Sequence, residues 1–409
     1  MISEERRKKD FIKLIKKLDI SPTMFKNAKE KYQNIANYLE RYGLNVDIYP
    51  QGSFALGTVV RPYKGNKDVD YDLDCICLLK VNKNEITPKV LKKSIGKALL
   101  DNKKYNIQEE WDKCWTIEYA DINNIGFNID VVPAVNEDSK TIERLQKKSI
   151  DSSKVGLSIA ITNKIEDDEY KWTTNNPKGY KQWFDELNKP FQQYNRDTRR
   201  YLLFEENRDI FNSVEEIPEE LERSALQRVI QIMKRHRDIY FSKVKMDNSN
   251  KSIEEYKPIS AIITTLVARI AESASPTMDV FELLKYISDE FDIYSKQQFL
   301  SESQFNSKYV DKRIIQRAKG VWKIENPVNP EDNLADSWND EPNKAKYFFM
   351  WLNQIKKDFI DSFKLEDSKF ISLLESSLGS QFVNNSIDSS LYYSEPIKPL
   401  INNPKPWRL

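Results

Sequence analysis

Four aspartates occupy alternate positions in the stretch DVDYDLDCIC, which spans residues 68–77. They are Asp68, Asp70, Asp72 and Asp74, and apolar residues follow them without a break. Like charges on one face of a half-buried strand repel one another, and burying them is costly unless a cation lies between them. The spacing therefore raises the question of which cation this strand binds.

A third carboxylate completes the pattern. Because side chains alternate along a strand, Asp72 and Asp74 share one face of the strand predicted over 71–79, and Asp130 faces away from its apolar neighbours in GFNIDVVPA. If the two strands are neighbours, three carboxylates converge and can bind hard cations such as Mg²⁺. Two such ions about 3.5–4 Å apart activate a hydroxyl group and stabilise a leaving phosphate. Asp68 and Asp70 are predicted to be solvated loop charges, although Asp70 and Asp72 have the same spacing and remain an alternative pair.

The stretch QGSFALGT lies upstream, with Gly52 twenty residues before Asp72. Glycines at positions 52 and 57 let the backbone approach a ligand closely, and the Ser53 and Thr58 hydroxyls with nearby backbone N–H groups can bind phosphate. Gln51 is included in this predicted nucleotide-binding turn. Such a turn, followed by a D-x-D strand and an aspartate on a later strand, fits metal-dependent nucleotidyl transfer.

The elements that must position these residues are predicted from periodicity. Helical stripes cover residues 3–18 and a long segment that begins after Ser21 and stops at Gly43; a further helix covers 87–102. Strands are predicted at 71–79, 114–120 and 126–134, and helices dominate from about residue 194 onward. This order indicates an α+β fold with a mixed sheet in residues 1–195 and a mostly helical lobe in 196–409. Residues 326–340 are predicted to be a loop, and the tail from about 385 to be extended.

Composition excludes several classes of protein. Lys and Arg number 64 against 63 Asp and Glu, so the net charge of +1 argues against a protein that binds long nucleic acid through its backbone. Three cysteines and one histidine make a Cys/His zinc site or a disulfide framework unlikely to form. With no signal peptide and no apolar stretch long enough to span a membrane, we expect a cytoplasmic monomer.

The motifs together resemble one known family. PQGSFALGTVVRP, DYDLDCICLL and FNIDVVPA are similar to the nucleotidyltransferase core of the bacterial cGAS/DncV-like enzymes (CD-NTases), which make cyclic oligonucleotide second messengers. The resemblance covers roughly residues 35–355 and includes NPVNPEDNLADSW, which also resembles a segment of animal 2′-5′ oligoadenylate synthetases. It implies a polymerase-β-like core, a helical lobe and an active site in the cleft between them. The zinc-bearing insertion through which animal cGAS binds DNA has no counterpart here.

The resemblance also implies roles for individual residues and for ligands. Asp72 and Asp74 take the positions of two metal-bridging carboxylates, and Asp130 that of the third, beside the attacking hydroxyl. Gly52 and Ser53 match the triphosphate-holding turn, and Lys234 and Ser260 fall where related enzymes contact the donor triphosphate. The implied cofactor is a pair of Mg²⁺ ions, which Mn²⁺ can replace. The implied substrates are nucleoside triphosphates (ATP, with GTP or pyrimidine triphosphates as further candidates), and a separate effector protein would read the product in an antiviral (CBASS) signalling system.

Other interpretations remain open on the sequence alone. A linear 2′-5′ adenylate or RNA-tailing transferase is the main alternative; a transferase acting on antibiotics or proteins and a catalytically inactive scaffold are the others. Cys75, Cys77 and the aromatic residues of 180–184 are expected in the core, and His236 is expected to pack rather than to act as a base. One cation of the set Lys234, Arg235 and Arg237 is expected to contact the triphosphate.

Overall fold

A computed structural model describes residues 2–64, 67–122, 125–149, 152–206, 222–246, 252–295, 300–308 and 314–393. The chain is α+β, with a mixed sheet in its first half and packed helices in its second half, as the sequence predicts. Within the residues described, no helix combines the length and the apolar character that crossing a membrane requires.

The first half builds the sheet and the helices that cover it. Its elements are α1 (Glu4–Lys16), α2 (Pro22–Arg41), β1 (Val46–Pro50), α3 (Gly52–Leu56), β2 (Tyr63–Lys64), β3 (Lys67–Asp68), β4 (Tyr71–Asn82), α4 (Pro88–Asp101), β5 (Asn106–Glu110), β6 (Trp115–Ile122), β7 (Ile125–Asn136), α5 (Ser139–Lys148), α6 (Ser152–Val155), β8 (Ile159–Glu166), β9 (Glu169–Asn175) and α7 (Pro177–Glu206).

The second half is mainly helical. Its elements are α8 (Ala225–Lys243), α9 (Ser260–Ala271), α10 (Val280–Ser295), α11 (Glu302–Lys308), β10 (Gln316–Ala318), β11 (Val321–Lys323), β12 (Glu325–Asn326), β13 (Asn329–Asn333), α12 (Asp336–Asp340), α13 (Pro342–Phe359), α14 (Asp367–Leu378) and α15 (Ser380–Ser386).

The sheet has the order β1-β4-β7-β6-β5, and β8 and β9 extend it beside the end of β7. Strands β4 and β7 are parallel, whereas the other pairs are antiparallel. Cys75 and Cys77 are fully buried on the face of β4 that packs against α2 and α4, which confirms that they belong to the core. The opposite face of the same strand carries Asp72 and Asp74, so the alternation of side chains separates core from site.

Several sequence-based expectations differ from the structure. The segment predicted as a loop over 326–340 contains β13 and α12, because Asn326 and Asn333 side chains bond the backbone and fold it onto itself. The hairpin of β8 and β9 was not predicted. The predicted division between residues 195 and 196 lies within α7, and Phe11 of α1 packs in the core of the helical lobe. Of the tail predicted to be extended, residues 394–409 lie outside the described part of the chain, and α15 covers its beginning.

Candidate active site

Strand pairing brings the predicted carboxylates together. Asp74 on β4 stands opposite Asp130 on β7, and Asp72 stands opposite Asn128. The Asn128 side chain donates to Asp72 Oδ1 at 3.4 Å, and Thr116 Oγ1 on β6 donates to Asp130 Oδ1 at 2.5 Å. The three carboxylates therefore share one face of the sheet, in the register that the period-two pattern predicts.

Negative charge dominates the electrostatics of this face. Burial, together with the charges of Asp130 and Asp72, raises the pKa of Asp74 to about 7. Burial is also the main cause that raises the pKa of Asp72, and Asp130 adds to it. Among the described residues, no cation lies within ion-pair distance of any of the three carboxylates. A cation that bound here would relieve the repulsion.

The residues fit a divalent metal ion that shares its ligands with a substrate. Within the described part of the chain, no three His, Cys, Asp or Glu side chains form a ready-made metal site. Mg²⁺ is commonly bound by one or two carboxylates plus phosphate oxygens and water, and this does not require a closed protein cage. The raised pKa of Asp74, opposite a second carboxylate, is the observation that supports such a fit.

The predicted phosphate-binding turn lies directly against these carboxylates. The Gln51 N–H donates to the Asp74 carbonyl at 3.0 Å, and Gly52 begins α3 with φ +59°. A Cβ atom on Gly52 would lie 3.0 Å from Asp74 Oδ2, so a side chain here would crowd the carboxylate. Ser53 follows in the first turn of the helix, and its hydroxyl makes no hydrogen bond within the described residues. The hydroxyl is thus free to bind a ligand.

Side chains of helix α8 form hydrogen bonds with the end of this turn. Three side chains of α8, spaced as neighbours on one helical face, donate to the last residue of α3 and to the segment that follows it. Gln227 Nε2 bonds the Leu56 carbonyl at 2.8 Å and Gln231 Nε2 bonds the Val59 carbonyl at 2.7 Å. Lys234 Nζ bonds Thr58 Oγ1 at 3.0 Å. Sequence analysis missed the two glutamines, because they bond residues about 170 positions away in the chain and leave no local pattern.

Lys234 and Ser260 occupy different environments. Lys234 is almost completely buried, and burial, with the charge of Arg237, lowers its pKa to about 7, while Asp238 and Asp74 act in the opposite direction. It supports the turn through Thr58, and its contact with a triphosphate remains a prediction. Ser260 begins α9, and its Oγ accepts a hydrogen bond from Arg237 Nη1 at 3.0 Å. Among the described residues, no hydrogen bond joins Ser260 to the three carboxylates, and its contact with a triphosphate remains a prediction.

The neighbouring aspartates are not the solvated loop charges that were predicted. Asp68 forms an ion pair with Arg235 at 2.5 Å, and Asp70 Oδ1 accepts a hydrogen bond from the Gly126 N–H at 3.0 Å. Asp70 lines a separate open groove near α2 and β6. The geometry therefore favours Asp72 and Asp74 over Asp70 and Asp72 as the working pair.

His236 is a structural residue, as expected. Its Nε2 bonds Asp358 at 3.0 Å, and its Nδ1 accepts from the Trp351 indole N–H at 2.9 Å. Phe184 is fully buried, and the Tyr180 hydroxyl bonds Thr265, which places both aromatic side chains in the packing of the helical lobe.

The comparisons with known proteins agree with this arrangement. Residues 6–188 match the Second Messenger Oligonucleotide or Dinucleotide Synthetase (SMODS) domain family. Residues 6–188, which contain the three carboxylates and the Gly52–Ser53 turn, are thus similar to that family. The resemblance to cGAS/DncV-like nucleotidyltransferases that the sequence predicted is thereby confirmed, and with it the enzyme class.

Two relatives extend the comparison beyond the SMODS domain. A c-di-GMP synthase of Roseivirga ehrenbergii is 26% identical over 360 residues, which cover 85% of this chain and 77% of the relative. The CD-NTase CdnG of Bradyrhizobium diazoefficiens, solved in complex with GTP, is 18% identical and has a TM-score of 0.63 over 93% of this chain and 97% of that protein. At this identity the second comparison shows a shared fold, which includes the helical lobe.

Proposed function

We propose that this protein joins nucleoside triphosphates into a cyclic di- or trinucleotide and releases pyrophosphate. The observation that carries the proposal is the register of β4 and β7, which sets Asp74 opposite Asp130 directly beside the Gly52–Ser53 turn. The acidic groups therefore lie next to the turn that is predicted to bind phosphate, which supports a transfer of nucleotidyl groups.

We assign the residues of the site separate roles in the reaction. Asp72, Asp74 and Asp130 would hold two divalent metal ions, which supply charge neutralisation at the α-phosphate and activation of the attacking hydroxyl. Thr116 orients the Asp130 carboxylate through its hydrogen bond. The Ser53 hydroxyl and the start of α3 bind the departing pyrophosphate, and Gln227, Gln231 and Lys234 keep that turn in place.

The nature of the product is proposed from the relatives. A relative named for c-di-GMP synthesis makes GTP the first substrate to test, with ATP and pyrimidine triphosphates beside it. The near-neutral net charge supports a product made from free nucleotides rather than a tail added to RNA. We extend the proposal to a role in bacterial antiviral signalling, in which a separate effector protein binds the product.

Incubation with all four nucleoside triphosphates and Mg²⁺ or Mn²⁺, followed by phosphatase treatment and mass spectrometry, tests the proposal. A phosphatase-resistant product with the mass of a closed ring is expected from the wild-type protein. The Asp70→Asn variant should form the same product, because Asp70 lies just before β4 and is bonded to the Gly126 N–H rather than placed beside Asp130. A phosphatase-sensitive product would indicate a linear oligonucleotide instead, and the absence of any product with all four substrates would overturn the proposal.

A further inference from the structure

A cavity of about 490 Å³ opens beside the carboxylates, on the side of β8 and β9. Asp74 and Gln51 line it, together with Asn329 and Asp332 of the helical lobe. Because Asp74 lines it, a nucleotide bound at the carboxylates would lie next to this space. Among the residues that line it, Lys113 carries the positive charge.

Within the described part of the chain, no acidic side chain neutralises Lys113. It is exposed, and within the described residues it forms no ion pair or hydrogen bond through its side chain. Glu331, an acidic residue that also lines the cavity, is already paired with Arg144 at 2.9 Å and with Lys148 at 2.6 Å. The Lys113 ammonium is therefore available to a ligand in the cavity.

The turn that carries Lys113 is held rigidly by a second, buried lysine. Lys92 on α4 is fully buried, and its ammonium donates to the carbonyls of Trp111, Asp112 and Cys114 at 2.9, 3.4 and 3.1 Å. All three of its donors are thus used, as burial of an ammonium group requires. The Asp112 carbonyl also accepts from the Lys164 N–H of β8 at 2.8 Å. The backbone on both sides of Lys113 is therefore fixed relative to the sheet.

We propose that Lys113 binds the phosphate chain of a nucleotide in this cavity, and that Lys92 is the positioning residue of the turn that presents it. The inference rests on the proposed function, because joining two nucleotides brings two triphosphates to one site. The Gly52–Ser53 turn accounts for the triphosphate that loses pyrophosphate. The other nucleotide keeps its phosphates until the ring closes, and a fixed lysine offers them a compact positive charge.

The test compares ligands with and without phosphate. Binding of the α,β-methylene analogue of GTP, which cannot release pyrophosphate, and of guanosine is measured by calorimetry with Mg²⁺ for wild type, Lys113→Met and Lys113→Arg. Lys97→Met is the matched control, since Lys97 is an exposed lysine on α4 away from the cavity. Lys113→Met is expected to weaken binding of the analogue about tenfold, as loss of one charge-assisted hydrogen bond does.

The remaining outcomes separate phosphate binding from a merely structural effect. Guanosine affinity should be unchanged in Lys113→Met, Lys113→Arg should retain most of the affinity for the analogue, and the loss in Lys113→Met should shrink at high salt. Lys92→Met should lower both the melting temperature and the affinity for the analogue. Equal affinities for Lys113→Met and Lys97→Met, or an equal loss for guanosine, would overturn the inference. A wild-type protein that makes no product would overturn the proposed function. Because binding is measured directly, the ratio of the affinities of Lys113→Met and Lys97→Met for the analogue would still decide this inference.

Discussion

Two groups of partly or fully buried carboxylates in this protein differ in whether an arginine side chain neutralises them. At the junction of the two lobes, Asp19 is bonded by Arg223 at 2.8 Å and by Arg228 at 3.1 Å, and Asp68 is paired with Arg235. On the face of β4 and β7, Asp74 and Asp130 stand opposite each other without such a partner among the described residues. The paired carboxylates contribute to the stability of the fold. The unpaired carboxylates retain an unfavourable electrostatic free energy, which a bound cation can lower.

The double variant Asp72→Asn with Asp74→Asn should show the largest effect. It removes two carboxylates that would hold the metal ions, so product formation should fall by at least about a thousandfold, which corresponds to several kcal/mol of lost transition-state stabilisation. Product is measured by mass spectrometry, and circular dichroism checks that the fold is intact. More than a trace of product from the folded double variant would show that the chemistry lies elsewhere.

In the paired group, a substitution should lower the stability of the fold. Arg235 is buried and bonds Asp68, the Arg61 carbonyl and the Leu378 carbonyl. Arg235→Met leaves these acceptors unpaired, at a cost of roughly 3–5 kcal/mol, which should lower the melting temperature by roughly 5–10 °C. Thermal melting followed by circular dichroism measures it. A melting temperature equal to that of the wild type would remove the distinction between the two groups.

Ser53→Ala should have an intermediate effect on activity and little effect on the fold. The Ser53 hydroxyl makes no hydrogen bond within the described residues, so its removal costs the protein little. A hydrogen bond to a charged group contributes roughly 1–3 kcal/mol, so turnover should fall by about one to two orders of magnitude. Steady-state kinetics with varied triphosphate measures the loss. Unchanged kinetics would move the phosphate-binding role away from this turn.

The smallest expected effect is a pH dependence of stability in metal-free buffer. The pKa of Asp74 is about 7 in the folded protein against its usual 3.8. Between these two pH values the carboxyl group is protonated in the folded state and ionised in the unfolded chain. Stability is therefore retained below about pH 4 and declines as the pH rises through about 7. Asp74→Asn should not show this decline, and its melting temperature should exceed that of the wild type above pH 7.

Melting temperatures of the wild type and of Asp74→Asn, recorded in EDTA between pH 4.5 and 8, measure this dependence. Ser53→Ala is the control, since it removes no titrating group, and its difference from the wild type should not vary with pH. A difference between Asp74→Asn and the wild type that stays constant over the same range would show that Asp74 is not held in an unfavourable environment.

The site was predictable where local periodicity determines it. Alternation along β4 and β7 placed Asp72, Asp74 and Asp130 on one face, and the glycines at 52 and 57 marked the turn, because these features depend on adjacent residues. The Gln227 and Gln231 bonds to the turn were not predicted, since they join residues about 170 positions apart and leave no local pattern. The same reason explains why α1 was not assigned to the helical lobe, whose core contains its Phe11.

Asp130 lies on a strand other than that of Asp72 and Asp74, and we propose that it completes one catalytic centre with them. Parallel measurement of product formation and of nucleotide binding in Asp130→Asn tests this role. The variant is expected to bind GTP with Mg²⁺ nearly as well as the wild type does but to form no cyclic product, because the charge beside the attacking hydroxyl is missing. Product formation by Asp130→Asn at close to the wild-type rate would show that Asp130 is not part of the catalytic centre.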